Sequence, residues 1–555
     1  MAKKRKEQRK EKRKARKRKA KIAQAKTRRA KSRKARTTRG SRNRRSAQDK
    51  LAELKHRLRE IADLGAASSL LEWDQATYMP PGGAVARARQ GALLRKCAHE
   101  QSIDPALGKL IDDLSAGGDG LPEDDAALVR VARRDFEKAI KVPAEHVARV
   151  NALGSESYDA WTRARPANDF AAMRPFLEQA LELSRDYAEF FAPYDHVADP
   201  LIDDYDEGMT ATSVRALFVE LEAALVPLVR AICEQAPADD SCLRGSFGEK
   251  AQLDISLRAA EAIGYDLARG RLDTTHHPFC TKFALGDVRI TTRVRENDVT
   301  DALFSTLHEA GHALYEQGVD AAFEGTPLGR GTSAGVHESQ SRLWENVVGR
   351  SRGFCHHFYP LLQQSFPDEL ARVEPDAFYR AINKVSRSLI RTDADEVTYN
   401  LHVMLRFELE LAMLEGKLRV ADLPDAWREG MRERLGIAPA DDRDGCLQDV
   451  HWYMGVIGGV FQGYTIGNIL AAQCYAAALS AHPEIPGEIE HGDFTTLRGW
   501  LTGNIYRHGR KYQPNELIER ATGTPLRTGP YLDYLRTKYG ELYRLPASPY
   551  VSSAS

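Results

Sequence analysis

His308, Glu309 and His312 are the residues of this 555-residue chain whose types and spacing most directly specify chemistry. They stand in the run Leu303-Phe304-Ser305-Thr306-Leu307-His308-Glu309-Ala310-Gly311-His312-Ala313-Leu314-Tyr315. On a helix of 3.6 residues per turn, histidines four positions apart lie one turn apart on one face, so both imidazoles can reach a single ion. A zinc ion held that way polarises a carbonyl and lowers the pKa of its bound water to about 7, and a carboxylate beside the first histidine can take that water's proton. The chemistry predicted is hydrolysis of a peptide bond.

Two histidines leave such a site one protein donor short. Downstream donors are Glu316, Glu324, His337, Glu338 and Glu345. Glu316 would lie two turns beyond His308 on the same helix, too far to converge with it. A second helix over Val336–Asn346 could supply the donor, and spacing alone does not choose among the remaining candidates.

The elements that must position these groups are legible in part. Asn297, Asp298, Thr300 and Asp301 before the run and Gly318 after it are start and stop signals for a helix, and Leu303, Phe304, Leu307 and Leu314 form its apolar stripe. Ala310, Gly311 and Ala313 leave room for another segment to pack closely beside His312. Residues 272–295 alternate like strands, with a hairpin turn at Gly286-Asp287, and place Asp287, Arg289, Thr291 and Arg293 on one face just before the histidine helix. From Asp49 to about Pro237 the pattern is helical and amphipathic, broken at Pro80-Pro81-Gly82-Gly83, Gly117-Gly118 and Pro193. Leu51, Leu54, Leu58, Ile61 and Leu64 predict one long helix there, the wall or lid of a cleft. The stretch from Val450 to Ala481 carries no charge other than His451. Its five glycines, with Gln462, Asn468 and Gln473, predict a buried segment lining a cavity rather than a membrane span.

Composition places the chain among globular proteins, with 42% hydrophobic residues and a formal net charge of +2. That balance hides an asymmetry. Residues 1–46 hold 25 Lys and Arg against Glu7 and Glu11, a net +23, which leaves −21 on the rest. The run has no apolar periodicity, and self-repulsion predicts disorder with binding to RNA, DNA or another polyanion as its available function. Seven scattered cysteines without paired spacing predict a reducing compartment, and the N-terminus shows no secretory pattern.

Read together, the motifs resemble the carboxypeptidase Taq family of zinc metallocarboxypeptidases. They occur in the family's order: His277-Pro-Phe279, Asp287-x-Arg289-x-Thr291, His308-Glu-x-x-His312, His337-Glu-Ser-Gln340, Ile390-Arg391-x-x-Ala394-Asp395 and Gly445-x-x-Gln448-Asp449-x-His451-Trp452. Leu71-Glu-Trp73-Asp74-Gln75 with Tyr78-Met-Pro-Pro-Gly-Gly83 resembles the family's N-terminal signature, and the likeness runs over roughly residues 47–545. The resemblance implies His308, His312 and Glu338 as metal ligands and Glu309 as general base. It implies a mainly α fold around a long cleft with a small β-sheet next to the zinc helix. Zinc, or in some members cobalt, is the expected ion, and release of single C-terminal residues with broad specificity the expected activity. A homodimer in the cytoplasm, without membrane association, is expected. The implied organisation is a basic tail over 1–46 and a catalytic domain over 47–555, with a helical wall or lid over about 47–245 and the zinc-site portion over about 246–545.

An exopeptidase of this kind must hold a free carboxylate one residue beyond the scissile bond, which a planar guanidinium does bidentately. Arg391 is the first candidate and Arg289 the second; the competing reading of Arg391 is an ion pair with Asp393 or Asp395. Tyr464 resembles the family's tyrosine and could donate to the oxyanion. His277 and His451 could touch substrate or orient other groups, and Asp287, Gln448 and Asp449 could hold them. The rival readings are a nucleic-acid-binding protein using its tail with the body as scaffold, and a related zinc endopeptidase or dipeptidase.

Overall fold

Helices carry most of the described residues, and three short strands interrupt them where alternation predicted. The structure is a computed structural model describing residues 47–116 and 120–546. The basic run 1–46 and the Gly117-Gly118 break lie outside the described residues. Strands β1 (Leu272–Thr274), β2 (Cys280–Ala284) and β3 (Asp287–Thr292) form one sheet in the order β1-β3-β2, with β1 parallel and β2 antiparallel to β3.

Val288 and Ile290 of β3 are fully buried, and the strand packs against the helix Asp301–Gly318, which carries His308, Glu309 and His312. The polar row expected on β3 is only partly solvated. Thr291 is buried, its Oγ1 accepting from the Phe279 N–H at 2.8 Å and donating to the Phe279 carbonyl at 3.0 Å. Arg289 pairs with Asp287 and stacks 4.4 Å from the Trp73 ring centroid. Arg293 lies past the strand and pairs with Asp301.

Two apolar clusters hold the molecule. The smaller joins Leu54 and Leu58 of the helix over 47–77 to Ile111, Leu128 and Val131, and closes on Leu285, Val319 and Phe323 beside the sheet and the end of the histidine helix. The larger runs from Leu153 to Tyr543 and contains the apolar stripe Leu303, Phe304, Leu307 and Leu314. Burying one such leucine stabilises by about 2 kcal/mol. The N-terminal helices are thus shared between the clusters, those up to Phe136 in the smaller and those from Leu153 in the larger.

Two glycines set the spacing of the helices at the centre. The helix Ala334–Arg342 crosses the histidine helix at Gly311, where a Cβ would meet the Gln340 carbonyl oxygen at 2.5 Å and the Ser341 Cα at 2.6 Å. The helix Phe461–Ala481 crosses next, and a Cβ on Gly467 would lie 2.5 Å from Glu338 Cγ. Only the missing side chains allow these approaches. This third helix is the uncharged stretch noted above. Its amides are buried and paired, Asn468 with Asn400 and Gln473 with Thr522 and the Pro525 carbonyl. Among the described residues no helix is long and apolar enough to cross a membrane.

Candidate active site

The histidine helix places His308 and His312 one turn apart, and the crossing at Gly311 brings Glu338 opposite them. Glu338 Oε2 stands 3.7 Å from His308 Nε2 and 3.4 Å from His312 Nε2. A tetrahedral ion with bonds of about 2.0–2.1 Å separates its ligands by about 3.3 Å, so these three atoms fit one ion of zinc's size.

Every other lone pair of the trio is occupied from behind. Glu338 Oε1 accepts from Arg342 Nε at 2.7 Å, one turn along its own helix. His308 Nδ1 meets Glu345 Oε2 at 2.9 Å, which fixes the Nδ1–H tautomer and leaves Nε2 free to coordinate. A π-helical turn over Leu343–Val348 carries Glu345 onto this face. His312 Nδ1 meets His337 Nδ1 at 2.6 Å, His337 Nε2 meets Glu316 Oε1 at 2.9 Å, and Lys282 of β2 pairs with Glu316 Oε2 at 2.9 Å. Of the donors open in the sequence, only Glu338 faces the two Nε2 atoms. Glu345, His337 and Glu316 stand behind the imidazoles, and Glu324 accepts from the Leu285 N–H.

Electrostatics prepare the same set. Burial opposes ionisation of Glu338, but Arg342 and His308 outweigh it and hold the carboxyl well below its usual range. Burial lowers His312 to about 4, so it is neutral and able to ligate at pH 7. Glu309 lies next to His308 and is 6% exposed. Among the described residues no donor holds its carboxylate, and burial raises its pKa to about 7 despite the opposing charge of His308. A carboxyl poised there is suited to accept and return a proton near neutrality.

Beyond Glu338 lies a second polar group. Asp449 Oδ2 accepts from Arg391 Nε at 2.6 Å and from Arg406 Nε at 2.7 Å, while Tyr399 accepts from Arg391 NH1 at 2.9 Å. The partner of Arg391 is therefore Asp449, not Asp393 or Asp395. Two guanidinium groups against one carboxylate leave an excess positive charge, and Arg391 keeps two N–H groups unused. His451 Nδ1 meets Asp449 Oδ1 at 2.6 Å, and its Nε2 lies 3.3 Å from the Tyr464 hydroxyl. Gln448 accepts from the Arg391 N–H at 2.9 Å. Arg289 is committed to Asp287 and Trp73, and His277 is exposed with Nδ1 3.0 Å from the Pro278 carbonyl.

Arg342, Tyr399, Arg406 and Lys282 were not singled out in the sequence. The offset of four between Glu338 and Arg342 was a usable signal. The others act across long separations and left none.

The family model described as "Carboxypeptidase Taq (M32) metallopeptidase" matches residues 53–539. "Thermostable carboxypeptidase 1" of Thermus thermophilus is 41% identical over 499 residues, covering 87% of this chain and 97% of the relative. "Carboxypeptidase 1" of Bacillus subtilis is 37% identical over 490 residues, covering 88% and 97%. The crystal structure of the M32 carboxypeptidase from Deinococcus radiodurans R1 superposes with a TM-score of 0.88 at 54% identity, covering 90% of this chain and all of that one.

Proposed function

The chain belongs to the carboxypeptidase Taq (M32) metallopeptidases, and from that premise we propose how its own residues perform the reaction. The protein is a metallocarboxypeptidase that releases single C-terminal residues from peptides with broad specificity. The reading of a nucleic-acid-binding protein with an idle peptidase body is not favoured, because the matched region excludes the basic tail and takes in every residue of the hydrolytic set.

His308, His312 and Glu338 hold a divalent ion, zinc first and cobalt as an alternative. The convergence of the two Nε2 atoms and one carboxylate oxygen is the observation that carries this. When bound, the ion supplies Lewis acidity for polarising the scissile carbonyl and activating water. Glu309 takes a proton from the attacking water and returns it to the leaving amine nitrogen. Tyr464, whose hydroxyl lies 3.3 Å from His451 Nε2, turns its hydrogen from that nitrogen to the developing oxyanion. Arg391, gripped from behind by Asp449, turns its two unused N–H groups to the substrate's terminal carboxylate. Arg289 and His277 act further out, Arg289 on the sheet against Trp73 and His277 at the exposed edge, as lesser contacts to substrate. Metal analysis together with mass spectrometry of a peptide and its amidated twin tests this. Stoichiometric zinc and a ladder of C-terminal losses from the free acid alone are expected; cleavage inside both peptides would favour an endopeptidase.

Arg391→Ala should cost about 2–4 kcal/mol in kcat/KM on a free-acid peptide, the worth of a charge-assisted bidentate contact, and far less on the amide. Equal losses on both would assign Arg391 to structure alone and pass the role to Arg289.

Residues 1–46 bind polyanions without sequence preference, supported by 25 cations on a segment outside the family match. Deleting them should abolish retention on a polyanion column at about 0.1 M salt and leave kcat on a short peptide within about two-fold. Equal passage of both forms would make the segment an inert extension. The cytoplasm is the proposed compartment, supported by seven free cysteines. A homodimer is proposed too, supported by Val85 and Leu93, which the helix Ala84–Ser102 leaves exposed; a light-scattering mass of one chain would refute it.

A further inference from the structure

The helix Tyr399–Leu414 carries Tyr399, Arg406 and Glu410 at offsets that put them on one face. Tyr399 and Arg406 belong to the group around Asp449 and Arg391; Glu410, 2% exposed, has no part in the reaction described above. Its Oε1 accepts from the Trp452 indole N–H at 2.7 Å, and no hydrogen bond reaches its Oε2 among the described residues. Four residues from an arginine on a helix, a glutamate ordinarily finds its cation there. Arg406 is already committed, Nε to Asp449 Oδ2 at 2.7 Å, NH1 to the His402 carbonyl at 2.9 Å and NH2 to Gln448 Oε1 at 2.8 Å.

The neighbouring elements supply no cation in its place. Arg185 donates to the Met413 and Leu414 carbonyls, Arg215 pairs with Glu408 and Glu415, Arg428 with Asp425 and Asp442, and Arg434 with Glu222. The helix Phe461–Ala481 brings no charged side chain. What faces Glu410, besides Arg406, is the charge of Asp449 and the phenol of Tyr205. A buried carboxyl with one donor, no ion pair and a carboxylate nearby is held in its neutral form. Burial, then the charge of Asp449, raises its pKa to about 8 against the Trp452 N–H and Arg406.

Two consequences meet at the substrate's carboxylate. Arg391, Arg406 and Asp449 sum to one positive charge, which an ionised Glu410 would cancel. Trp452 sits in the turn Val450–Tyr453 next to His451, whose Nε2 lies 3.3 Å from the Tyr464 hydroxyl. We propose that Glu410 is a positioning residue that works as a neutral acid: uncharged, it preserves the positive charge that draws the peptide's C-terminal carboxylate to Arg391, and through Trp452 it holds the turn that presents His451. This rests on the reading that Arg391 holds that carboxylate.

The test measures Kd by calorimetry for an N-acetylated tripeptide and its amidated twin, on metal-loaded Glu309→Gln protein, which binds with little turnover. The ratio of the two constants isolates recognition of the carboxylate from any titration felt by both peptides. Between pH 7 and 9.5 the preference for the free acid should fall about ten-fold, as one charge near the site is neutralised, with a midpoint near 8. Adding Glu410→Gln, which keeps an acceptor for Trp452 and cannot ionise, should hold the preference at its pH 7 value throughout. Glu410→Ala should weaken it already at pH 7, with metal content unchanged. A preference that is level with pH when Glu410 is present, or that falls equally with Glu410→Gln, overturns the assignment while leaving Arg391 its role. No preference for the free acid at pH 7 would overturn the Arg391 reading and this one with it.

Discussion

Glu309→Gln should retain its metal at full stoichiometry and lose turnover by about 10²- to 10⁴-fold, the usual contribution of a positioned general base. The amide keeps the shape of the side chain and removes the proton acceptor. Nothing else in the site changes with it, because among the described residues no donor holds the Glu309 carboxylate, and Glu338, Glu345 and Arg342 keep their own partners. Loss should fall on kcat, with KM little changed, since proton transfer belongs to the transition state. Near-normal turnover with stoichiometric zinc would remove Glu309 from the role of base, and simultaneous loss of metal would show it to be needed for the ion.

Glu338→Ala should empty the site. It deletes one of three ligands and with it nearly all activity, so metal retained after dialysis against a chelator should fall to a small fraction of one equivalent. It also leaves Arg342, partly buried beside it, with only Glu345 as a carboxylate partner at 3.3 Å. Removing one member of a buried ion pair costs about 3–5 kcal/mol, so the variant's apo form should melt below the wild-type apo form. Retention of zinc at wild-type affinity would pass the ligand role to Glu345 or His337. Either would first have to leave its present place behind His308 or His312.

Much of this site was legible in the sequence. A helix is a local structure, hydrogen-bonded four residues along, so the offset between His308 and His312 and the signals at Asp301 and Gly318 define its active face and its ends. The small residues beside His312 announced a close crossing, which Gly311 makes against Gln340 and Ser341. Alternation located the hairpin of β2 and β3, although within the polar row Thr291 is buried against Phe279 and Arg289 lies against Trp73. Order among the motifs was enough for the family, because several short patterns in sequence rarely coincide by chance.

Convergence between segments was a different matter. Four donors, Glu324, His337, Glu338 and Glu345, stood open for the place opposite the imidazoles, and their spacing could not rank them. Which one faces the two Nε2 atoms depends on the angle at which two helices cross and on the π-helical turn before Gly349, and neither has a period in the sequence. For the same reason the competing reading of Arg391 pairs it with Asp393 or Asp395, its neighbours in the chain, when its partner is Asp449, 58 positions away. By itself the sequence determined the ion-binding face, the elements that carry it and the charge of the tail. The tertiary structure alone decided which side chains meet there and which are left free, because those meetings are made by packing between distant segments and not by the local geometry of either.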